Sequence, residues 1–153
     1  MKVRIELDGE NTDEEVVIHC RTLTDEVRLI QRAVTSITSS PPNIPLYKGD
    51  TEYYVAPGDI LFFETEDSVL NAHTRDNIYQ TRYRLYELEK ILSGNFIRVS
   101  KSTIVNVQEI YSLSKNTLST TSVISFANSH KQVFVSRHYN KQLKEKLMKW
   151  RKL

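Results

Sequence analysis

The spacing of apolar residues divides the 153-residue chain into a short mixed segment and a longer, mostly β one. In "KVRIEL" and "EEVVIHC" apolar and polar residues alternate, with Val3, Ile5 and Leu7 on one face of the first, as in half-buried strands. Thr24 then stands where an N-cap belongs. Asp25 and Glu26 fall in a first helical turn, and Val27, Ile30 and Val34 recur at helical spacing before "TSITSSPPNIP". The pattern predicts a small β-β-α unit with a linker over residues 1–43. Such a unit is too small to bury its own face comfortably, so it either pairs with a second copy of the chain or packs on the rest of its own.

From Leu46 the pattern turns mainly β. "LYKGDTEYYVA" carries a turn at Lys48, Gly49 and Asp50, "DILFFETE" reads as a buried strand, and "VLNAHT" and "IYQTRY" flank Arg75, Asp76 and Asn77 as a hairpin. Leu85, Leu88, Ile91 and Leu92 mark a short amphipathic helix that stops at Ser93 and Gly94, which suits a glycine C-cap. Strands resume with "FIRVS", "IVNVQEIYSL", "VISFAN" and "KQVFVS". A closing helix puts Tyr139, Leu143, Leu147 and Trp150 on one stripe, with Ser136 where an N-cap belongs. The fold class is therefore α+β, mainly β, and residues 44–153 are expected to form the main domain.

Composition supports a globular protein: 39% hydrophobic and 26% charged residues, with only four glycines and four prolines, match neither a disordered nor a fibrous chain. No apolar run approaches the roughly 20 residues that span a bilayer, and the first residues lack the apolar centre of a signal peptide. A cytoplasmic location is expected. Cys20 is the single cysteine; it sits in an alternating apolar segment and is expected to be structural.

The net charge of +2 conceals an asymmetry. Residues 1–45 carry eight acidic and five basic groups, whereas residues 94–153 carry two acids, Glu109 and Glu145, against eleven bases. A field of that kind favours nucleic acid, an anionic membrane surface or an acidic protein.

Catalytic chemistry is not legible. The histidines His19, His73, His130 and His138 lack metal-ligand spacing, and there is no phosphate-cradling glycine loop, dinucleotide fingerprint or nucleophile motif. No catalytic residue, metal site or small-molecule cofactor is expected. Glu64, Glu66 and Asp67 lack a calcium-loop pattern and read as a solvated turn that keeps a polyanion away from that surface. Base-stacking RNA binders need exposed aromatics, and most tyrosines and phenylalanines here fall on positions expected to be buried.

One local pattern occurs twice. Val99-Ser100-Lys101 and Val135-Ser136-Arg137 each end an apolar strand with a serine and a base. A base in a loop at a strand end can enter a nucleic-acid groove while nearby hydroxyls and amides hold phosphates. Taken singly, such a base is ordinary surface.

From "DILFFETED" through "NFIRVSKSTIVNVQEIYSL" to "VFVSRHYNKQLKEKL" the chain resembles the LytTR DNA-binding domain of bacterial transcription regulators, over roughly residues 46 to 147. The resemblance implies an elongated antiparallel β fold with one packed helix and a C-terminal helix. It also implies loops that place side chains in successive major grooves of promoter direct repeats, so that each echo would serve one groove. Carried over residue by residue, one contact loop is Lys101 with Ser100 and Ser102, and another is Arg137 with His138. A third contact loop of the family precedes "VLNAHT"; here it is short and offers Asp67 and Ser68. Lys101 and Arg137 are the candidates for guanine edges, and Arg98, Lys115 and Lys141 for phosphates. Asn106 is expected to be structural.

The residues ahead of the domain are too few for a phosphorylatable receiver, so the layout resembles stand-alone LytTR regulators. That implies double-stranded DNA as partner, a homodimer, and restraint by a small membrane-bound inhibitory protein. The competing reading is a non-enzymatic β interaction module whose basic end docks an acidic protein or an anionic surface.

Overall fold

The computed structural model describes residues 16–38, 43–92, 94–115 and 121–151. Contacts divide the chain into two units, Met1–Ser39 and Ser40–Leu153. In the first, helix α1 runs over Asp25–Thr38. Its start is set as the sequence predicts: the Thr24 hydroxyl accepts from the Val27 amide at 3.4 Å and the Thr24 carbonyl from the Arg28 amide at 3.0 Å. The expected strand at "KVRIEL" lies outside the described residues. Residues 16–20 of the expected second strand form no strand, and all five are exposed, Cys20 included. Alternation marks a strand only where a ladder partner satisfies the backbone, and among the described residues none pairs with 16–20. The cysteine is thus not the small buried hydrophobe that its neighbours suggested.

The second unit is built on a seven-stranded antiparallel sheet. Its strands are β1 (Ile44–Lys48), β2 (Thr51–Val55), β3 (Phe62–Glu66), β4 (Val69–His73), β5 (Ile78–Thr81), β6 (Phe96–Arg98) and β7 (Thr103–Asn106), in the order β2-β1-β5-β4-β3-β7-β6. A second sheet of three strands, β8 (Ile110–Lys115), β9 (Ser122–Phe126) and β10 (Gln132–Val135), is ordered β10-β9-β8. Helix α2 (Leu85–Ile91) follows β5, and α3 (Arg137–Arg151) closes the unit. Each expected hairpin forms; the first turns at Gly49, whose φ of 61° is one that glycine adopts without a Cβ clash.

The period-two pattern of the central strands explains the layers. Consecutive residues point to opposite faces, and Phe62 and Phe63 enter different cores, as do Val105 and Ile104. On one face Phe63, Ile104, Leu46 and Leu70 pack with Leu85, Leu88 and Leu92 of the α2 segment. On the other, Phe62, Val99 and Val105 pack with Ile124, Phe126 and Val133 of the small sheet and with Leu143 of α3. Tyr139 and Leu147 join that core as expected, but Trp150 is 40% exposed because the stripe runs past the end of the packed surface. The α2 segment ends without a left-handed glycine: the Leu92 amide bonds the Leu88 carbonyl and Leu92 leaves in extended backbone (φ −72°, ψ 139°). Gly94 does not adopt a positive φ, and Ser93 lies outside the described residues.

The aromatics are less buried than expected. Tyr54, Tyr111 and Phe134 are 69%, 77% and 62% exposed, because each falls on a solvent-facing position of an outer strand.

Candidate nucleic-acid interface

Antiparallel pairing decides which loops share an end of the unit. β3 pairs with β4 from Phe62 with His73 to Glu66 with Val69, so the turn at Asp67 and Ser68 closes one end. Glu64 lies opposite Thr103 on β7, and the Thr65 amide donates to the Ser102 carbonyl at 2.9 Å, which sets loop 99–102 beside that turn. The Ser136 amide donates to the Val99 carbonyl at 2.9 Å, and this bond joins loop 99–102 to the start of α3. In the small sheet Lys115 and Val135 both lie opposite Ser122, so the end of β8 comes to the same place. The Ser122 hydroxyl also bonds Asn140 Oδ1 at 3.2 Å, fixing the first turn of α3 on the sheet.

All the residues proposed from sequence therefore gather at one end, with Lys101, Lys115, Arg137, His138, Lys141 and Ser68 exposed. The two echoes are neighbours. Val99 and Val135 are fully buried anchors, and the polar and basic residues after them stand outside the core. Chain geometry limits the Lys101 and Arg137 Cα atoms to at most about 18 Å apart, so the two echoes stand on one continuous edge of the unit.

Loop 99–102 is held rigidly. Arg98 donates from Nε to the Ser100 carbonyl at 3.0 Å, from one terminal nitrogen to Glu89 Oε1 at 3.1 Å, and from the other to the Lys101 carbonyl. The Ser102 amide donates to Ser100 Oγ at 3.2 Å, and the two hydroxyls lie 3.3 Å apart. Arg98 thus spends its guanidinium on shaping the loop, while Lys101 points from it into solvent. The turn at Asp67 and Ser68 takes positive φ at both residues, 47° and 68°, the geometry of a tight hairpin. Asp67 follows Glu64, whose carboxyl is raised above the usual range by burial and by Glu66, partly offset by the Thr103 hydroxyl. His138 is packed edge-on against Tyr139 with ring centroids 5.2 Å apart.

Asn106 is structural, as expected. It is almost fully buried; Nδ2 donates to the Ile60 carbonyl at 3.1 Å and Oδ1 accepts from the Gln108 amide at 3.2 Å. Without it the Ile60 carbonyl, in a buried bond, and the Gln108 amide would lose these partners.

The opposite end uses its bases differently. Lys131 Nζ donates to the Thr74 and Asn77 carbonyls at 2.6 and 2.8 Å, and Arg75 bonds Glu109 and the Ala127 carbonyl. These bonds clip the β4–β5 hairpin to the small sheet. Bases at that end serve the fold, and the exposed lysines at the other end remain available to a polyanion.

Sequence reasoning overlooked Arg82 and Arg84. They follow β5, whose last residue Thr81 pairs with Leu70 just after the turn at Asp67 and Ser68, so they reach the same end. The "TRYR" run carried a usable signal, two arginines immediately after a strand. Among the described residues no group of three or more His, Cys, Asp or Glu is placed to hold a metal ion.

Comparisons with known proteins agree with this geometry. The chain is 30% identical over 148 residues to uncharacterized HTH-type transcriptional regulators of Staphylococcus aureus strains bovine RF122 / ET3-1 and MSSA476, covering 96% of this chain and 98% of each relative. Its fold matches the LytTr DNA-binding domain of a Bacillus cereus chain described as a methyl-accepting/DNA response regulator, with a TM-score of 0.64 and 27% identity over 69% of this chain and 96% of that one. Strands separate α1, α2 and α3 from one another, so among the described residues no two helices form a helix-turn-helix. The LytTr DNA-binding domain model matches residues 50–148, and with the loops, cores and strand order described above the chain belongs to the LytTR family.

Proposed function

We propose that this chain is a cytoplasmic transcriptional regulator that binds double-stranded DNA sequence-specifically through the loops at one end of its β unit. The observation that carries the reading is the Ser136 to Val99 backbone bond, which makes one rigid, basic edge of two loops distant in sequence. Lys101 and Arg137 extend from that edge toward base edges in one groove region, and a bidentate contact to guanine O6 and N7 contributes roughly 1 to 3 kcal/mol of discrimination. Ser100, Ser102 and Ser68 supply hydroxyls, and Lys115, Lys141 and His138 meet phosphates. Arg98 acts through the loop it shapes.

Promoter direct repeats then require one chain per repeat. A homodimer satisfies that, with residues 1–43 as the segment that pairs copies or receives a membrane-bound inhibitory protein. The curated relatives are named transcriptional regulators, which supports the assignment to gene control.

The test is a selection from a random duplex library at near-physiological salt, with sequencing of the retained fraction. Enrichment of a repeated motif supports the reading. Uniform, salt-sensitive retention without a motif overturns it and favours a β interaction module with a basic end.

A further inference from the structure

A groove of about 480 Å3 opens between the turn at Asp67 and Ser68 and the segment linking β5 to α2. Thr65, Ser68, Thr81, Arg82, Arg84 and two tyrosines, Tyr83 and Tyr86, are among its lining residues, and no carboxylate lines it. Arg82 and Arg84 are exposed, and neither pairs with a carboxylate among the described residues. Their backbone is nonetheless fixed. The Arg84 amide donates to Glu87 Oε2 at 2.7 Å, and the Arg82 guanidinium lies over the Tyr47 ring, 4.2 Å from its centroid. The Arg82 guanidinium is thus oriented by the Tyr47 ring and the Arg84 backbone by Glu87, which lowers the entropic cost of engaging a ligand.

Their position answers an electrostatic problem. Glu66 and Asp67 put negative charge at the one turn that would otherwise meet the duplex beside loop 99–102. A phosphate strand crossing that turn needs compensating charge, and Arg82 and Arg84 line the groove beside it. Guanidiniums bind phosphate oxygens in pairs, and Thr65 and Ser68 line the same groove. We propose that Arg82 and Arg84 form a phosphate clamp, extending the DNA footprint along the backbone beyond the Asp67 and Ser68 turn. The clamp rests on the DNA-binding reading and adds affinity without adding base preference.

The experiment compares the full chain with the Arg82→Gln/Arg84→Gln double variant, measuring affinity against salt on the selected duplex and on a scrambled duplex of equal length. The slope of log K against log salt is expected to become shallower by about 1 to 2 on both duplexes, with the ratio between them unchanged. Arg84→Gln alone keeps the Arg82–Tyr47 stack and should lose about half of that, and Arg84→Lys should restore it. An unchanged slope in the double variant, with thermal melting as in the parent, overturns the clamp. If the selection recovers no preferred duplex the regulator reading falls, and the clamp is still judged by the slope on the scrambled one.

Discussion

The amide of Ser136 and the carbonyl of Val99 are joined at 2.9 Å, although 37 positions separate the two residues in the chain. Val99 is fully buried at the base of its loop, so this bond, together with the Ser122–Asn140 bond, sets where the start of α3 stands relative to Lys101. Replacing Ser136 by proline removes the donor while suiting the start of a helix. The Val99 carbonyl then loses its partner, and urea denaturation of Ser136→Pro should show about 1 to 3 kcal/mol less stability. DNA discrimination should weaken with it, since the two loops no longer share a fixed spacing. Unaltered discrimination in a destabilised variant would show that the loops act independently.

Arg98 and the exposed lysines should behave differently toward salt. Arg98 bonds Ser100, Lys101 and Glu89, so Arg98→Ala should reduce affinity by loosening loop 99–102 and leave the salt slope nearly as it was. Lys115→Ala and Lys141→Ala should each make the slope shallower by about 1. Titrations at several salt concentrations distinguish the two behaviours.

His73 predicts acid sensitivity. Its ring is stacked on Phe62 at 4.2 Å, neither ring nitrogen has a hydrogen-bond partner among the described residues, and burial, followed by the charge of Lys131, lowers its pKa to about 4. An unfolded chain takes up the proton near the ordinary value of 6.5. Between those values the unfolded state binds more protons, so stability is complete above about pH 6.5 and falls as pH drops toward 4. The slope approaches one proton, about 1.4 kcal/mol per pH unit. His73→Phe keeps the ring stack and should flatten this part of the profile, measured as unfolding free energy against pH.

Lys131 tests the division of labour between the two ends. Lys131→Met keeps most of the apolar stem and removes the donor to the Thr74 and Asn77 carbonyls. Melting temperature should fall by several degrees, in line with the loss of about 1 to 2 kcal/mol. The salt slope of DNA binding should not move, although the substitution removes a positive charge. A shallower slope would place this end at the DNA after all.

Much of the second unit was determined by sequence alone, because its information is local. Period-two runs around Phe62 and Phe63 and around Ile104 and Val105 place alternate residues on opposite faces, and the 3.6-residue spacing of Leu85, Leu88 and Leu92 specifies a helix with one covered side. Thr24 identified a helix start for the same reason, since a cap contacts only the next turn. Residues 16–20 show the limit: an apolar run alone does not make a strand, and among the described residues no other strand meets their backbone groups. Tertiary structure alone decided the use of each base. Arg98, Lys101, Lys131 and Arg137 look alike in the sequence, but pairing register sends Lys131 to two carbonyls at one end and Lys101 to solvent at the other. It also bonds Val99 to Ser136 and carries Arg82 and Arg84 to the turn at Ser68. A charge acquires its role from the groups around it, and those come from distant parts of the chain.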